Sequence, residues 1–150
     1  MRTDTTHATA ATFAANRAQG AVRFGVRLQD GVTRRGILHE SGSLRVRFPS
    51  PEDAGLSGVF VNTAGGIAGG DRFDIAITAG EGARLTLTTA AAEKVYRAPG
   101  PVAELNIALK VEAGAHLSWL PQETILFDRA RISRRIDLDR VEQHRLAQHA

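Results

Sequence analysis

The sequence predicts a mostly β fold of layered strands with little helix. Three observations predict it. Apolar residues alternate with polar ones in several separate runs, the period of a strand with one covered face. Turn-forming glycine, proline, asparagine and aspartate residues separate those runs at short intervals. A strand–turn–strand unit also recurs: Phe73–Thr89 overlays Leu105–Pro121, with Gly114 falling 32 positions after Gly82. In that overlay Ile75 meets Ile107, Ile77 meets Leu109, Ala83 meets Ala115 and Leu85 meets Leu117.

Each element follows from its residues. Residues 1–20 hold threonines, alanines and a lone Phe13, and they read as a flexible lead-in without the continuous apolar core of a signal peptide. Val22, Phe24, Val26 and Leu28 alternate with Arg23, Gly25 and Arg27 to give a first strand, closed by Asp30-Gly31. After Ser41-Gly42, the residues Leu44, Val46 and Phe48 alternate with Arg45 and Arg47, and Pro49 to Pro51 end that run. Phe73, Ile75 and Ile77 form the next alternating face, then Gly80 to Gly82 turn the chain into Leu85 and Leu87. Ala90 to Lys94 follows two threonines, so one threonine-capped helical turn is expected there. Pro99 to Pro101 breaks the chain before Leu105, Ile107, Leu109 and Val111. Ala113-Gly114 leads into a strand with Leu117 and Trp119 on one face and His116 on the other. Residues 21–139 form the β domain, and 140–150 read as a divergent polar tail, either a frayed helix or a tail. Stacked two-strand units are compatible with a solenoid or a layered sandwich.

Composition bounds the function. With 150 residues, 43% of them hydrophobic, the chain suits one globular domain able to bury roughly 70% of its unfolded surface. There is no cysteine, which removes disulfides and thiolate metal sites. No run approaches the roughly 20 apolar residues of a membrane helix. The sequence pI near 10.2 reflects scarce titratable groups, because the net charge is only +3. The densest cations, Arg129, Arg131, Arg134 and Arg135, are interleaved with Asp128, Asp137 and Asp139, and read as a solvated strand face, not a nucleic-acid surface.

The most distinctive segment is Asn62-Thr63-Ala64-Gly65-Gly66-Ile67-Ala68-Gly69-Gly70-Asp71. Two glycine doublets within six residues favour a tightly shaped loop or a contact surface. It lacks the Gly-Lys-Ser/Thr ending of a phosphate loop and the spacing of a dinucleotide fingerprint. Asp71 reads as a turn cap or a functional carboxylate. Glu93, Lys94, Tyr96 and Arg97 form a compact polar cluster with interface-favoured residue types. His39 beside Glu40 reads as a turn histidine before a metal ligand, and no nucleophile elbow is present. Three functions remain open on these grounds. One is a binding scaffold. Another is a β-sandwich module for an anionic partner. The third is an enzyme using Asp71 with His39 or His116.

Three ordered blocks then narrow the choice: the glycine segment, Leu87-Thr88-Thr89-Ala90-Ala91-Ala92-Glu93-Lys94-Val95-Tyr96-Arg97, and Trp119-Leu120-Pro121-Gln122-Glu123-Thr124-Ile125-Leu126-Phe127. In this order and spacing the chain resembles the urease accessory protein UreD family, called UreH in some organisms, from about Val22 to Leu138. The resemblance implies a cytoplasmic, non-catalytic maturation chaperone of β-helix-like solenoid architecture. It implies binding to apo-urease and to UreF, which recruits the GTPase UreG. It further implies that the complex handles nickel transiently, with no tightly bound cofactor on this chain and with neither nucleic acid nor membrane as partner. Carried over by residue, Gly65, Gly66, Gly69, Gly70 and Asp71 come first as partner-binding or nickel-path positions, then Lys94, Tyr96 and Arg97, then Pro121, Ile125 and Phe127. Asp71, a hard oxygen donor, is the candidate for passing a hydrated nickel ion along. Thr89 and Glu93 depart from the residues more usual in the family at those places. Family members run to nearly twice this length, so a solenoid incomplete at its C-terminus is expected, from a truncated, frame-shifted or fragmentary member. An uncapped end of that kind predicts marginal stability and aggregation.

Overall fold

The computed structural model describes residues 16–49 and 54–142, and these are almost entirely β. Twelve strands follow in order: β1 (Gln19–Gln29), β2 (Val32–Arg35), β3 (His39–Gly42), β4 (Leu44–Arg47), β5 (Leu56–Asn62), β6 (Arg72–Ala79), β7 (Arg84–Thr89), β8 (Glu93–Val95), β9 (Ala103–Val111), β10 (His116–Leu120), β11 (Thr124–Leu126) and β12 (Ile132–Arg140). They form three sheets. The largest runs β12-β9-β6-β1-β2, with β3 also on β1. The second runs β10-β7-β5-β4, and β11-β8 make a narrow third.

The predicted repeat is a physical register. Phe73, Ile75 and Ile77 of β6 lie beside Leu105, Ile107 and Leu109 of β9. Leu85 and Leu87 of β7 lie beside Leu117 and Trp119 of β10. Both pairings are parallel, so each unit lays its strands alongside their counterparts in the previous one. β12 continues the stack on β9, with Ile136 beside Ile107 and Leu138 beside Leu109.

Alternation is what builds the core. The covered faces of the two larger sheets meet through Val22, Phe24, Phe73, Ile75, Ile77 and Leu105 from one side and Val46, Phe60, Leu85 and Leu87 from the other. Leu87 and Ala79 have no exposed surface at all. Phe24 meets Phe48 edge to face at 5.2 Å between ring centres, and Phe60 meets Trp119 at 5.7 Å. Such aromatic pairs add to burial through their quadrupoles. Among the described residues two polar side chains are buried, Thr33 and Asp71, and the Thr33 hydroxyl oxygen accepts the Arg84 N–H at 2.9 Å.

One expected element is corrected. Ala90 to Lys94 does not form a helical turn. Residues 90 and 91 bend, and Glu93 begins β8. Strand neighbours claim the backbone groups that a helix would use. Ile67 N–H donates to the Lys94 carbonyl at 2.7 Å, and Glu93 N–H donates to the Glu123 carbonyl at 2.9 Å. The threonine cap is also redirected, since the Thr89 hydroxyl donates to the Ala91 carbonyl at 3.1 Å and accepts from Gln122 N–H at 3.0 Å. Of the tail expected at 140–150, residues 143–150 lie outside the described residues, as do residues 1–15 of the expected lead-in. Among the described residues no helix is long and apolar enough to cross a membrane.

Candidate functional site

The narrow β8–β11 sheet gathers much of the candidate site. Its strands run parallel, placing Lys94 beside Ile125 and Val95 beside Leu126. The glycine loop adds a third line of backbone to this sheet. Ile67 bridges Val95, and Tyr96 N–H donates to the Ile67 carbonyl at 2.9 Å. Val95 and Ile67 point inward and are buried, so the alternation throws Lys94 and Tyr96 outward. Phe127 N–H donates to the Val95 carbonyl at 3.0 Å, which brings the Phe127 ring to 5.3 Å from Tyr96.

The result is an exposed apolar and aromatic surface. Tyr96 keeps 41% of its surface open, Ile125 41% and Phe127 46%, while Leu126, 63% exposed, lies on the other face beside Val95. Gly66 lies directly beneath the Tyr96 ring, where any Cβ would collide with the ring edge and approach the Lys94 carbonyl at 2.9 Å. Lys94, beside Ile125, is exposed, as is Arg97, which follows Tyr96 in the chain. Gly66, Lys94, Tyr96, Ile125 and Phe127 therefore meet on one face, although 61 positions separate the first from the last.

The remaining loop residues shape and fasten. Gly65 and Gly70 adopt φ of +90° and +85°, a region that side chains enter at a cost. Gly69 is pressed against Pro101 and Ala98, with the Ala98 Cβ only 2.7 Å from where its own would stand. Asp71 is 4% exposed. One of its carboxylate oxygens accepts Ala18 N–H at 2.9 Å and the other accepts Ala68 N–H at 2.8 Å. Both oxygens thus close the loop and tie it to the chain leading into β1. This geometry is that of the turn cap.

Pro121 sits elsewhere, at the rim of a largely apolar cavity of about 450 Å³ between the two larger sheets. Trp119, Phe60, Ile107 and Ile136 line it, and an ion pair between Glu93 and Arg134 closes one side. That pair was not legible in the sequence, because its members are 41 positions apart. The other cations of the cluster also have partners. Arg131 donates to the Gly100 carbonyl at 3.0 Å, Arg135 pairs with Asp137 at 2.9 Å and Arg129 lies 3.8 Å from Asp128. His39 lines a second cavity of about 670 Å³ beside Arg23, Glu40 and Asp74, but neither Asp71 nor His116 reaches that cavity. No cluster of three metal-ligating side chains occurs among the described residues.

Comparison with known proteins decides between the readings. A family model described as UreD urease accessory protein matches residues 18–145. The chain belongs to the UreD family. It is 82% identical over 130 residues to the urease accessory protein UreD of Bradyrhizobium diazoefficiens, an alignment covering 87% of this chain and 47% of that one. It is 75% identical over 139 residues to urease accessory protein UreD 3 of a Bradyrhizobium species (strain BTAi1), covering 93% and 50%. A UreD of Rhodopseudomonas palustris (strain HaA2) is 72% identical over 139 residues, again covering 93% and 50%. The chain spans about half the length of the curated relatives it matches. The UreD family is named for service to an enzyme, urease, and not for a reaction of its own.

Proposed function

We propose that this chain serves urease maturation as a non-catalytic scaffold, and that it docks a protein partner through the Tyr96–Phe127 surface. The convergence of Gly66, Lys94, Tyr96, Ile125 and Phe127 on one exposed face carries this reading. Exposed aromatics with a cationic rim are the composition of an interface centre. In this reading the partners are UreF and apo-urease, with UreG joining through UreF, and the work takes place in the cytoplasm. Nickel is the cargo of the assembly. Its internal route would use the space between the two larger sheets, whose rim carries Pro121. Asp71, Gly65, Gly69 and Gly70 act by fixing the loop beneath the docking face. The parallel stacking of β6 on β9 and of β7 on β10 supports a β-helix-like continuation in the longer relatives.

Co-expression of the tagged chain with UreF from the same source, beside a full-length relative, tests the proposal. Recovery of UreF with the chain is expected, with loss on the paired change Tyr96→Asp and Phe127→Asp. Undiminished recovery with that variant would remove the surface from the interface. Failure of the unaltered chain beside a working full-length control would overturn the scaffold role for this half.

A further inference from the structure

The outward face of the largest sheet is sorted by charge. On β1 every second residue points outward, from Gln19 through Ala21, Arg23, Gly25 and Arg27 to Gln29, and none is acidic. The antiparallel register sets Arg34 of β2 opposite Arg27 and His39 of β3 opposite Arg23, on the same face. All four are exposed. The acids of this face stand on β6, β9 and β12, and three of them are engaged there. Asp74 accepts from Arg72 at 3.1 Å, Glu104 accepts from Arg72 at 3.4 Å, and Asp137 pairs with Arg135 at 2.9 Å. Glu40, next to His39 in the chain, is turned to β4, where it accepts Val46 N–H at 2.8 Å and Arg47 at 3.1 Å. The Arg23, Arg34 and His39 side chains have no hydrogen-bond or ion-pair partner among the described residues, and Arg27 donates to the neutral Gln29 side chain at 3.4 Å. Two guanidinium groups directly opposite, as at Arg27 and Arg34, oppose strand pairing. Strands β1, β2 and β3 lie at the far edge of this sheet from β12, and the chain enters β1 at Gln19, the opposite end of that strand from Arg27.

We infer that this face docks a short acidic segment of a protein partner, laid along β1 with carboxylates over Arg23 and His39 and over Arg27 and Arg34. Arg23 and Arg27 stand about 13 Å apart along the strand, the separation of two side chains four residues apart on an extended segment. The surface between and beside them is low. Gly25 has no side chain, and Ala21 and Ala76 floor the cavity of about 670 Å³ that Arg23, His39 and Ser41 also line. A partner backbone can approach closely over such residues. The charge order disfavours a long polyanion crossing the strands. Two strand spacings from β1, about 10 Å, it meets Glu104 on β9, and Asp137 and Asp139 on β12 follow. No aromatic side chain stands on the outward face of β1, β2 or β3 to stack a base. Complementary charge of this kind orients a partner and speeds its association. This face is separate from the Tyr96–Phe127 surface, and the inference does not depend on the proposed function.

The test is fluorescence anisotropy of a labelled poly-glutamate decapeptide titrated with the full 150-residue chain over a salt series. The peptide binds, and binding weakens as salt rises. Arg23→Glu and Arg34→Glu each weaken it about tenfold, because attraction becomes repulsion. Arg129→Glu changes the net charge equally, away from this face, and leaves the affinity as it was. Arg34→Glu also sets a carboxylate opposite Arg27, so the same variant raises the thermal unfolding midpoint while it loses the peptide. That opposite movement separates lost binding from lost folding. A chain that does not bind the peptide even at low salt would overturn the inference. So would an equal loss with Arg129→Glu. A single-stranded DNA decamer that binds more tightly than the peptide, through the same arginines, would overturn it too, by making the occupant a nucleic acid.

Discussion

Replacing Asp71 by alanine removes the acceptor for two backbone N–H groups at once. Ala18 and Ala68 donate to separate oxygens of this carboxylate at 2.9 and 2.8 Å, and Asp71 is 4% exposed. Hydrogen bonds to a charged acceptor are each worth about 1.5–3 kcal/mol, and an orphaned buried donor costs a similar amount. Both contacts are partly buried, which places the pair at the lower end, about 3 kcal/mol. For a chain of this size each kcal/mol moves the unfolding midpoint by about 2–4 °C, so Asp71→Ala lowers it by about 6–12 °C. Asp71→Asn keeps one acceptor and turns a donor toward the other N–H, so it recovers at most half of that loss. The assay is thermal unfolding followed by circular dichroism, with and without a chelator. The loss is the same in both, because the carboxylate works through hydrogen bonds and not through an ion. A midpoint within about 2 °C of the parent would refute the reasoning. So would a loss that appears only when nickel is present.

Other perturbations have equally definite outcomes. Gly66→Ala forces the Tyr96 ring off its seat and crowds the Lys94 carbonyl, costing about 1–3 kcal/mol and moving the resonances of the single tyrosine in a two-dimensional spectrum. Thr33→Val keeps shape but leaves the Arg84 N–H without its acceptor, costing about 1–3 kcal/mol in urea unfolding. Asp74 is held below the ordinary carboxylate range: burial pushes its pKa up, but hydrogen bonds from Arg72 and Asn106 and the charge of Arg72 outweigh that. A lowered folded-state pKa gives stability that is present above the unfolded value and lost as pH falls through the folded one. Asp74→Asn therefore flattens the acid limb of the stability–pH profile. The change at neutral pH stays below about 1 kcal/mol, because the side chain is 46% exposed and screened by salt.

The strands were legible because alternation reports a covered face directly. Ile75 and Ile107, or Leu85 and Leu117, could be matched before any pairing was known, and the parallel register repeats that match. Ala90 to Lys94 misled for a physical reason. Alanine favours helix locally, yet the backbone of Glu93 to Val95 is claimed by Ile67 and β11, and tertiary pairing overrides weak local propensity. The glycine block was recognisable as a shaped loop, but its different uses were not. Gly66 makes room for an aromatic ring, whereas Gly70 is needed for its dihedral angle. Asp71 offered two roles in the sequence, and only its two N–H partners show it as a cap. The meeting of Tyr96 with Phe127 lay beyond sequence reasoning, because parallel pairing across 31 positions creates it.

Hydrogen–deuterium exchange on the chain mixed with UreF, and separately with apo-urease, tests the docking surface most directly. The account predicts slowed exchange in the 93–97 and 124–128 segments with at least one of the two partners. Strong protection elsewhere, with these segments unchanged in both mixtures, would contradict it.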